Sequence, residues 1–405
     1  MSIERILIIG AGQAGAQAAV SLRQGGFKGV ITMIGAEPAP PYQRPPLSKA
    51  YLKGELEEQR LYLRPAEFYE AQEIDLRLGV AATGIDREAK TVVTDEGETL
   101  SYDVLLLATG APPRRLNAPG ADLEGVHYLR TLADSERLRP MLSAPGRVVI
   151  VGAGYIGLEV AAVARQHGRD VTVLEMAPRV LARVASEPVS EFYQTLHRNN
   201  GVDLRLGAAF EAFEGEHRIH AARLKDGEAI DCAAALVGIG AAPETRLAEE
   251  AGLEVSNGIV VDEYARTSDP AIFAAGDCTN FPSPRYGRRM RLESVPNAIE
   301  QAKAAAANMI GGETVYDALP WFWSDQYDVK LQTVGLCEGY DELVVRGDPA
   351  AKKFAVWYLK DGKGLAVDAI NDPASFAMGK KLITAGAALD PAKLADTGVD
   401  LKTLI

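Results

Sequence analysis

RVVIVGAGYIGLEVAAVARQHGRDVTVLE, residues 147–175, is the stretch that decides the fold of this 405-residue chain. Val148 to Val151 form a short, β-branched apolar run, as a buried parallel strand requires. Gly152, Gly154 and Gly157 follow in a G-x-G-x-x-G turn, and Glu159 to Gln166 continue at helical spacing. In such a turn the first glycine permits the tight bend, the second lets backbone approach a pyrophosphate, and the third lets helix pack on strand. The helix start offers free N–H groups and the positive end of a dipole to phosphate. A second strand, Val171 to Leu174, runs into Glu175, where an acid meets an adenine ribose. A carboxylate there accepts from a 2′-hydroxyl and repels a 2′-phosphate, so this half is expected to prefer NADH to NADPH.

A glycine turn alone is a weak signal, but strand, turn, helix, strand and acid in register make a dinucleotide site. The plan occurs twice. Ile6 to Ile9, Gly10, Gly12, Gly15, an Ala-rich helix, Val30 to Ile34 and finally Glu37 repeat it near the start. Two such folds imply two dinucleotides, and redox chemistry between them needs a fixed flavin acceptor and a diffusible nicotinamide donor.

Composition narrows the field. Hydrophobic content of 47% and charged content of 24% are those of a soluble globular chain long enough for several domains. A net charge of −12 argues against general nucleic-acid binding. Cys232, Cys278 and Cys337 lie far apart, and the five histidines are scattered, so neither a metal site nor a disulfide framework is expected. No apolar run reaches the roughly 18 residues of a membrane span. The first apolar run is broken by glycine and lacks a cleavage-site pattern, so a cytoplasmic protein is expected.

Further along, residues 38–49 carry too many prolines for regular structure and place Arg44 and Lys49 just after Glu37. Those cations are either solvated charges on a surface connection or partners of the flavin, Arg44 at the pyrophosphate and Lys49 at the ring. Strands are expected at Ile74–Leu78, Lys90–Val93 and Val104–Leu107, the last closing on Ala108-Thr109-Gly110. Arg130 precedes a helix, and Arg179 and Arg183 either assist NAD or are merely exposed. The apolar-glycine run Ala234–Pro243, with Gly240 in it, suits a strand that a flat nicotinamide ring approaches. Gly276-Asp277 ends another apolar strand, with a carboxylate able to accept from ribityl hydroxyls or simply to cap a strand end, and Cys278 beside it reads as a small packed residue. Glu293-Ser-Val-Pro-Asn297 opens an Ala-rich helix to about Ile310, with Val295 and Pro296 at its start. From Trp321 the pattern changes to alternating strands and one helix, Pro373–Ala385, and an extended Trp321-Phe-Trp323 puts both indoles on one side.

These residues resemble a known family. Arg44-Pro-Pro-Leu-Ser-Lys49, Leu61–Arg64, Tyr128–Leu132, Gly154–Ala162, Thr267–Pro270, Gly276–Cys278, Glu293–Asn297 and Trp321-Phe-Trp-Ser-Asp-Gln-Tyr327 together resemble the FAD-containing NADH–ferredoxin reductases of bacterial oxygenase systems, the putidaredoxin-reductase-like family. The resemblance implies an α/β fold with two Rossmann-like dinucleotide-binding domains, glutathione-reductase-like, plus a C-terminal α+β domain. The expected divisions are an FAD-binding domain at 1–113 and 244–320, an NAD-binding domain at 114–243, and the C-terminal domain at 321–405. It implies FAD held by Gly10, Gly12, Ala14, Gly15, Glu37, Arg44, Lys49, Ala82, Thr109, Gly110, Arg130, Gly276, Asp277, Glu293 and Val295. NADH is expected on Gly152, Gly154, Ile156, Gly157, Glu175, Arg183 and Gly240. Lys49 and Glu159 are implied as a pair beside the reacting edge of the flavin, Tyr155 as the cover of the nicotinamide face and Trp323 on the other side of the ring. One position departs from the family: an aspartate expected just before Glu37 is Ala36 here, and Glu37 stands in for it.

The implied chemistry is hydride transfer from NADH to FAD and single-electron delivery to a [2Fe–2S] ferredoxin, by a monomer or weak homodimer that binds neither nucleic acid nor membrane. Disulfide reductases and single-cysteine peroxidases of this fold need a cysteine in the helix-forming region after Glu37, and none is there. A rubredoxin or quinone-type acceptor is the alternative. A rival from another class is an NADH-sensing flavoprotein like the apoptosis-inducing factors, since one fold hosts both roles. Ferredoxins of this type are usually acidic, so docking needs a basic patch, expected at Arg285, Arg288, Arg289 and Arg291 with Lys352, Lys353, Lys380 and Lys381.

Overall fold

Arg5–Ile9 and Val148–Val151 each become the middle strand of a five-stranded parallel sheet. In the first sheet the spatial order is Ile272–Ala274, Val104–Leu107, Arg5–Ile9, Val30–Gly35 and Ile74–Leu78. In the second it is Val126–His127, Ala234–Val237, Val148–Val151, Val171–Glu175 and Asp203–Leu206. The repetition extends to single bonds. Gly10 N–H donates to Ile34 O at 2.9 Å and Gly152 N–H to Leu174 O at 2.8 Å. Both glycines have positive φ, +111° and +104°, and a Cβ would run into the carbonyl of Ala108 or Gly238 on the neighbouring strand's exit. Gly15 and Gly157 each press against the carbonyl of the first glycine of their own turn, which sets the helix close on the strand.

The computed structural model describes residues 3–404. These fall into two units: one comprises the chain through Gln43, Glu57–Pro112 and Ala241–Ala318, the other Arg44–Leu56, Pro113–Gly240 and the chain from Leu319. In the first unit helix Gln13–Gln24 buries Ala14, Ala16, Ala18, Ala19 and Leu22 in one cluster with Ala298, Ala302, Ala305 and Ala306 of helix Val295–Met309. Alanines on both sides let the two helices approach closely. Each parallel sheet is interrupted in sequence by a small antiparallel one, at Ala82–Asp86, Thr91–Thr94 and Thr99–Ser101, and at Phe210–Gly215, Ile219–Leu224 and Ala229–Asp231.

Residues 38–49 correct the expectation of irregular chain. Pro45–Ser48 forms a 3₁₀ turn, and Ala50–Lys53 adds a turn of α-helix that ends at Gly54 with φ +79°. Proline suits the first positions of a helical turn, where its fixed φ is already right and its missing N–H would have no partner.

From Trp321 the second unit contains an antiparallel sheet in the order Trp321–Gln326, Val329–Gly335, Lys363–Ile370, Lys353–Lys360, Glu342–Asp348. Its period of two separates two buried faces. Trp357, Leu359, Val367 and Ala369 pack with Met378, Leu382 and Ile383 of helix Pro373–Ala385. The opposite face sends Phe322 to Tyr155, Ser324 to Glu159, Gln326 to His197 and Phe354 to Phe192. These partners lie on helices Tyr155–Gln166 and Glu187–Asn199. Burial on both sides explains why Lys353–Lys360 reads as a continuous apolar run between its terminal lysines.

Candidate functional site

The two glycine turns fit phosphate-bearing ligands by their own geometry. Gly12 and Gly154 are extended N-cap residues without a side-chain cap, and neither helix has an acid in its first turn. A Cβ on either glycine would meet open space. The leading N–H groups and the positive dipole end therefore face outward with no carboxylate to compete for them. Helices Leu132–Leu138, Val295–Met309 and Pro373–Ala385 are instead closed by Thr131, Ser294 and Asp372.

Glu175 ends its strand as expected, and both its oxygens are used: Oε2 accepts from Ala153 N–H at 2.7 Å and Oε1 from Ala177 N–H at 2.8 Å. Each oxygen keeps a lone pair for a ribose hydroxyl while the backbone bonds fix its direction. Glu37 is not the sheet equivalent of Glu175. The matching bonds of Ile34 and Leu174 put Gly35 at that position, where a Cβ would crowd that of Ala11. Glu37 lies two residues further on and accepts from Tyr42 OH at 2.5 Å.

Other residues expected at the flavin lie in the first unit. Gly276, at φ +91°, brings its Cα beside the Ala14 methyl and donates its N–H to Gln301 Oε1 at 2.8 Å, directly before Asp277. Gln301 was not foreseen; a fully buried amide in an Ala-rich helix was the available signal. Thr109 Oγ donates to Glu244 O at 2.7 Å next to Gly110, Ala82 is buried, and Val295 begins its helix. Glu293 is exposed and pairs with Arg291 at 2.5 Å.

In the second unit, Glu159 is only 3% exposed and is met by three donors. Ser324 Oγ reaches Oε1 at 2.6 Å, while Ser48 Oγ at 2.5 Å and Lys49 Nζ at 2.7 Å reach Oε2. An uncompensated buried carboxylate costs several kcal/mol, so this convergence is what allows a charged pair to stand there. Neither serine was singled out in the sequence. Arg44 donates to Arg130 O at 2.8 Å, bringing those two residues together, and Arg130 leads into the Thr131–Asp134 capping box. Tyr155 packs against Phe322 with ring centroids 4.6 Å apart and planes tilted by 40°, and burial pushes its phenol well above the ordinary range. Ile156 beside it is 45% exposed, an apolar side chain left bare at the open helix end. Arg183 lies exposed within reach of Gly240. Trp323 stacks on Trp321 at 5.6 Å, both indoles on one side of the strand.

Arg179 is neither a free cation nor simply exposed: it donates to Ala182 O, Ala185 O and Ser190 Oγ and braces the loop after Glu175. The expected basic patch is also partly spent. Arg289 donates to Val261 O at 2.5 Å and Asn280 O at 2.6 Å, and Arg291 pairs with Glu293. Lys352 pairs with Asp328 and Lys380 sits 4.0 Å over the Trp321 ring. Exposed Arg285, Lys353 and Lys381 keep their charges outward. Cys232, Cys278 and Cys337 are free thiols, and burial raises the pKa of each. Among the described residues no acid, histidine and cysteine cluster could hold a metal, and no helix is long and apolar enough to cross a membrane.

Residues 4–302 match the family described as pyridine nucleotide-disulphide oxidoreductase, and residues 321–405 the one described as reductase C-terminal. The chain is 45% identical to the putidaredoxin reductase of Pseudomonas putida, covering 99% of this chain and 97% of that protein. It is 43% identical to the ferredoxin–NAD(+) reductase component of the anthranilate 1,2-dioxygenase system of Burkholderia cepacia, covering 100% of both. The crystal structure of the covalent putidaredoxin reductase–putidaredoxin complex contains a chain that superposes with a TM-score of 0.96 at 44% identity, covering 100% of this chain and 98% of that one.

Proposed function

The chain belongs to the pyridine nucleotide-disulphide oxidoreductase family, and on that premise we propose that it is an FAD-containing reductase that takes hydride from NADH and delivers single electrons to a [2Fe–2S] ferredoxin of a bacterial oxygenase system. The family name mentions a disulphide, but the three thiols of this chain are unpaired and held as thiols by burial, so its electrons leave by another route. Bound FAD supplies the conversion between a two-electron donor and a one-electron acceptor. The observation that carries the proposal is the pair of uncapped glycine N-termini, one in each parallel sheet, in a chain related along its whole length to ferredoxin reductases.

Within this reading the FAD-binding domain is 1–113 with 244–320, the NAD-binding domain 114–243 and the C-terminal domain 321–405. Glu175 holds the NADH ribose and repels a 2′-phosphate. Tyr155 covers the nicotinamide face, and the Lys49–Glu159 pair sets polarity at the reacting edge of the flavin. Lys49, Arg44, Arg130, Glu37, Asp277 and Trp323 complete the flavin contacts, and the protein works in the cytoplasm.

The test is NADH-dependent cytochrome c reduction with and without a [2Fe–2S] ferredoxin from the same genome. Turnover that depends on the ferredoxin upholds the proposal. Equal turnover with rubredoxin or quinones and none with any ferredoxin replaces it. Slow oxidation to a persistent NAD-bound reduced state would instead make the protein a sensor.

A further inference from the structure

Glu159 is the inner end of a longer buried row. Behind Ser324 stands Gln326, whose Nε2 lies 3.2 Å from Ser324 Oγ, and behind Gln326 stands His197, whose Nε2 lies 2.8 Å from Gln326 Oε1. Tyr327 OH faces the other ring nitrogen at the longer distance of 3.4 Å. Ser324, Gln326 and His197 are each 1% exposed or less. Their burial makes these groups one another's nearest hydrogen-bond partners.

Their order follows from valence. Lys49 Nζ can only donate, and Ser48 Oγ sits 2.5 Å from the same Glu159 oxygen, so Oε2 acts as an acceptor. An ionised Glu159 must then receive the single Ser324 proton across the 2.6 Å gap. Ser324 Oγ is left to accept, which turns the Gln326 NH₂ toward it and the Gln326 carbonyl toward His197. That carbonyl needs a proton on His197 Nε2, leaving Nδ1 as the acceptor for Tyr327. The opposite polarity needs a protonated Glu159 donating to Ser324, a flipped amide and a bare Nε2. The His197 tautomer therefore reports the charge of a carboxylate three side chains away.

We infer that His197 and Gln326 are positioning residues for the hydride-transfer site, fixing a one-way hydrogen-bond row that holds Glu159 as a carboxylate against Lys49. The inference rests on the proposed role of the Lys49–Glu159 pair but concerns residues outside it. Burial supports it by pushing the His197 pKa down to about 4, so the imidazole stays neutral. Among the described residues, Lys49 from the 45–53 segment pairs with Glu159, Tyr155 on its own helix and Tyr193 on helix Glu187–Asn199 face it, and Asp325, Cys337 and Asp368 act on those tyrosines in turn.

Two measurements on the FAD-loaded protein test it. The first is long-range ¹H–¹⁵N NMR of histidine-labelled protein, with His197 assigned from the spectrum that His197→Leu lacks. A neutral ring protonated on Nε2 from pH 5.5 to 8 is expected; a neutral ring protonated on Nδ1, or a charged ring, overturns the row. The second is the pH profile of anaerobic flavin reduction by NADH. Ser324→Ala removes a donor and should move the acid limb up by about one pH unit. His197→Leu should move it the same way, while His197→Gln, whose amide can replace the Nε2–H, should restore it. An unmoved limb in both Ser324→Ala and His197→Leu also overturns the inference. If instead Glu159→Gln leaves flavin reduction intact, the role of the pair at the flavin fails, and the tautomer result still judges the row.

Discussion

Asp368 should be replaceable by asparagine with a gain in stability that grows with pH. It lies on the face of the C-terminal sheet turned toward helix Glu187–Asn199, 5% exposed, where Oδ2 accepts from Tyr358 OH at 2.6 Å and Tyr358 OH reaches Ser186 Oγ at 2.8 Å. Burial raises its pKa from 3.8 to about 7, a trend the Tyr358 hydrogen bond only partly opposes. The folded protein thus holds this proton more tightly than the unfolded chain does. The stability this contributes is complete below pH 3.8 and is lost as pH rises to about 7. Asparagine imitates the protonated acid at every pH. Between pH 5 and pH 8 the difference between Asp368→Asn and wild type should therefore widen by about 2–3 kcal/mol, at 1.36 kcal/mol per pH unit. Any fixed packing cost of the amide cancels in that difference. His197 acts in the opposite sense, since stability from its neutral ring is lost as pH falls from 6.5 to about 4, but it is common to both proteins. Urea titration followed by tryptophan emission is the assay, because Trp321, Trp323 and Trp357 all lie in this sheet. A difference that stays constant from pH 5 to pH 8 would refute the reasoning.

Other substitutions separate the remaining roles. Lys49→Met leaves Glu159 buried without its cation and should slow anaerobic flavin reduction by about tenfold or more, read by stopped flow, with a loss of stability of about 3 kcal/mol. Glu175→Gln should raise the KM for NADH by about tenfold or more while giving little activity with NADPH, because the same carboxylate also anchors Ala153 and Ala177. Arg289→Glu should lower thermal stability and NADH–ferricyanide activity together, since its guanidinium bridges Val261 and Asn280. Arg285→Glu, on an exposed side chain, should raise only the ferredoxin KM, and do so more at low salt.

What was legible in the sequence was local. The strand, glycine turn and helix at 147–175 could be read because every partner lies within about one β-α-β unit. The C-terminal strands could be read from alternation, and the Trp321/Trp323 stack from the period of two. Ser48 and Ser324 could not, because they reach Glu159 across 111 and 165 residues, and the motifs they sit in do not say which side chain meets which partner. Lys49 could be read as one of two cations placed after Glu37, but Glu159 was named as its partner only through resemblance to a family. Arg179 and Arg289 misled for a related reason: their partners are mostly main-chain carbonyls, which no residue type advertises. Glu37 was matched to Glu175 by position in a motif, and the bonds of Gly10 and Gly152 show that the sheet counts two residues differently.

The first unit is written in three separated lengths of chain, and synthesis must respect that order. Strand Ile272–Ala274 pairs with Val104–Leu107, and the alanine face of helix Gln13–Gln24 is covered by helix Val295–Met309. On the ribosome roughly 160 residues separate Leu107 from Ile272, on the order of ten to thirty seconds of elongation. For that interval the first parallel sheet has an open edge and its amino-terminal helix a bare apolar stripe, whereas the second sheet, whose strands run from Val126 to Val237, can close as soon as it emerges. The nucleotide fold that begins the chain is the later of the two to be finished.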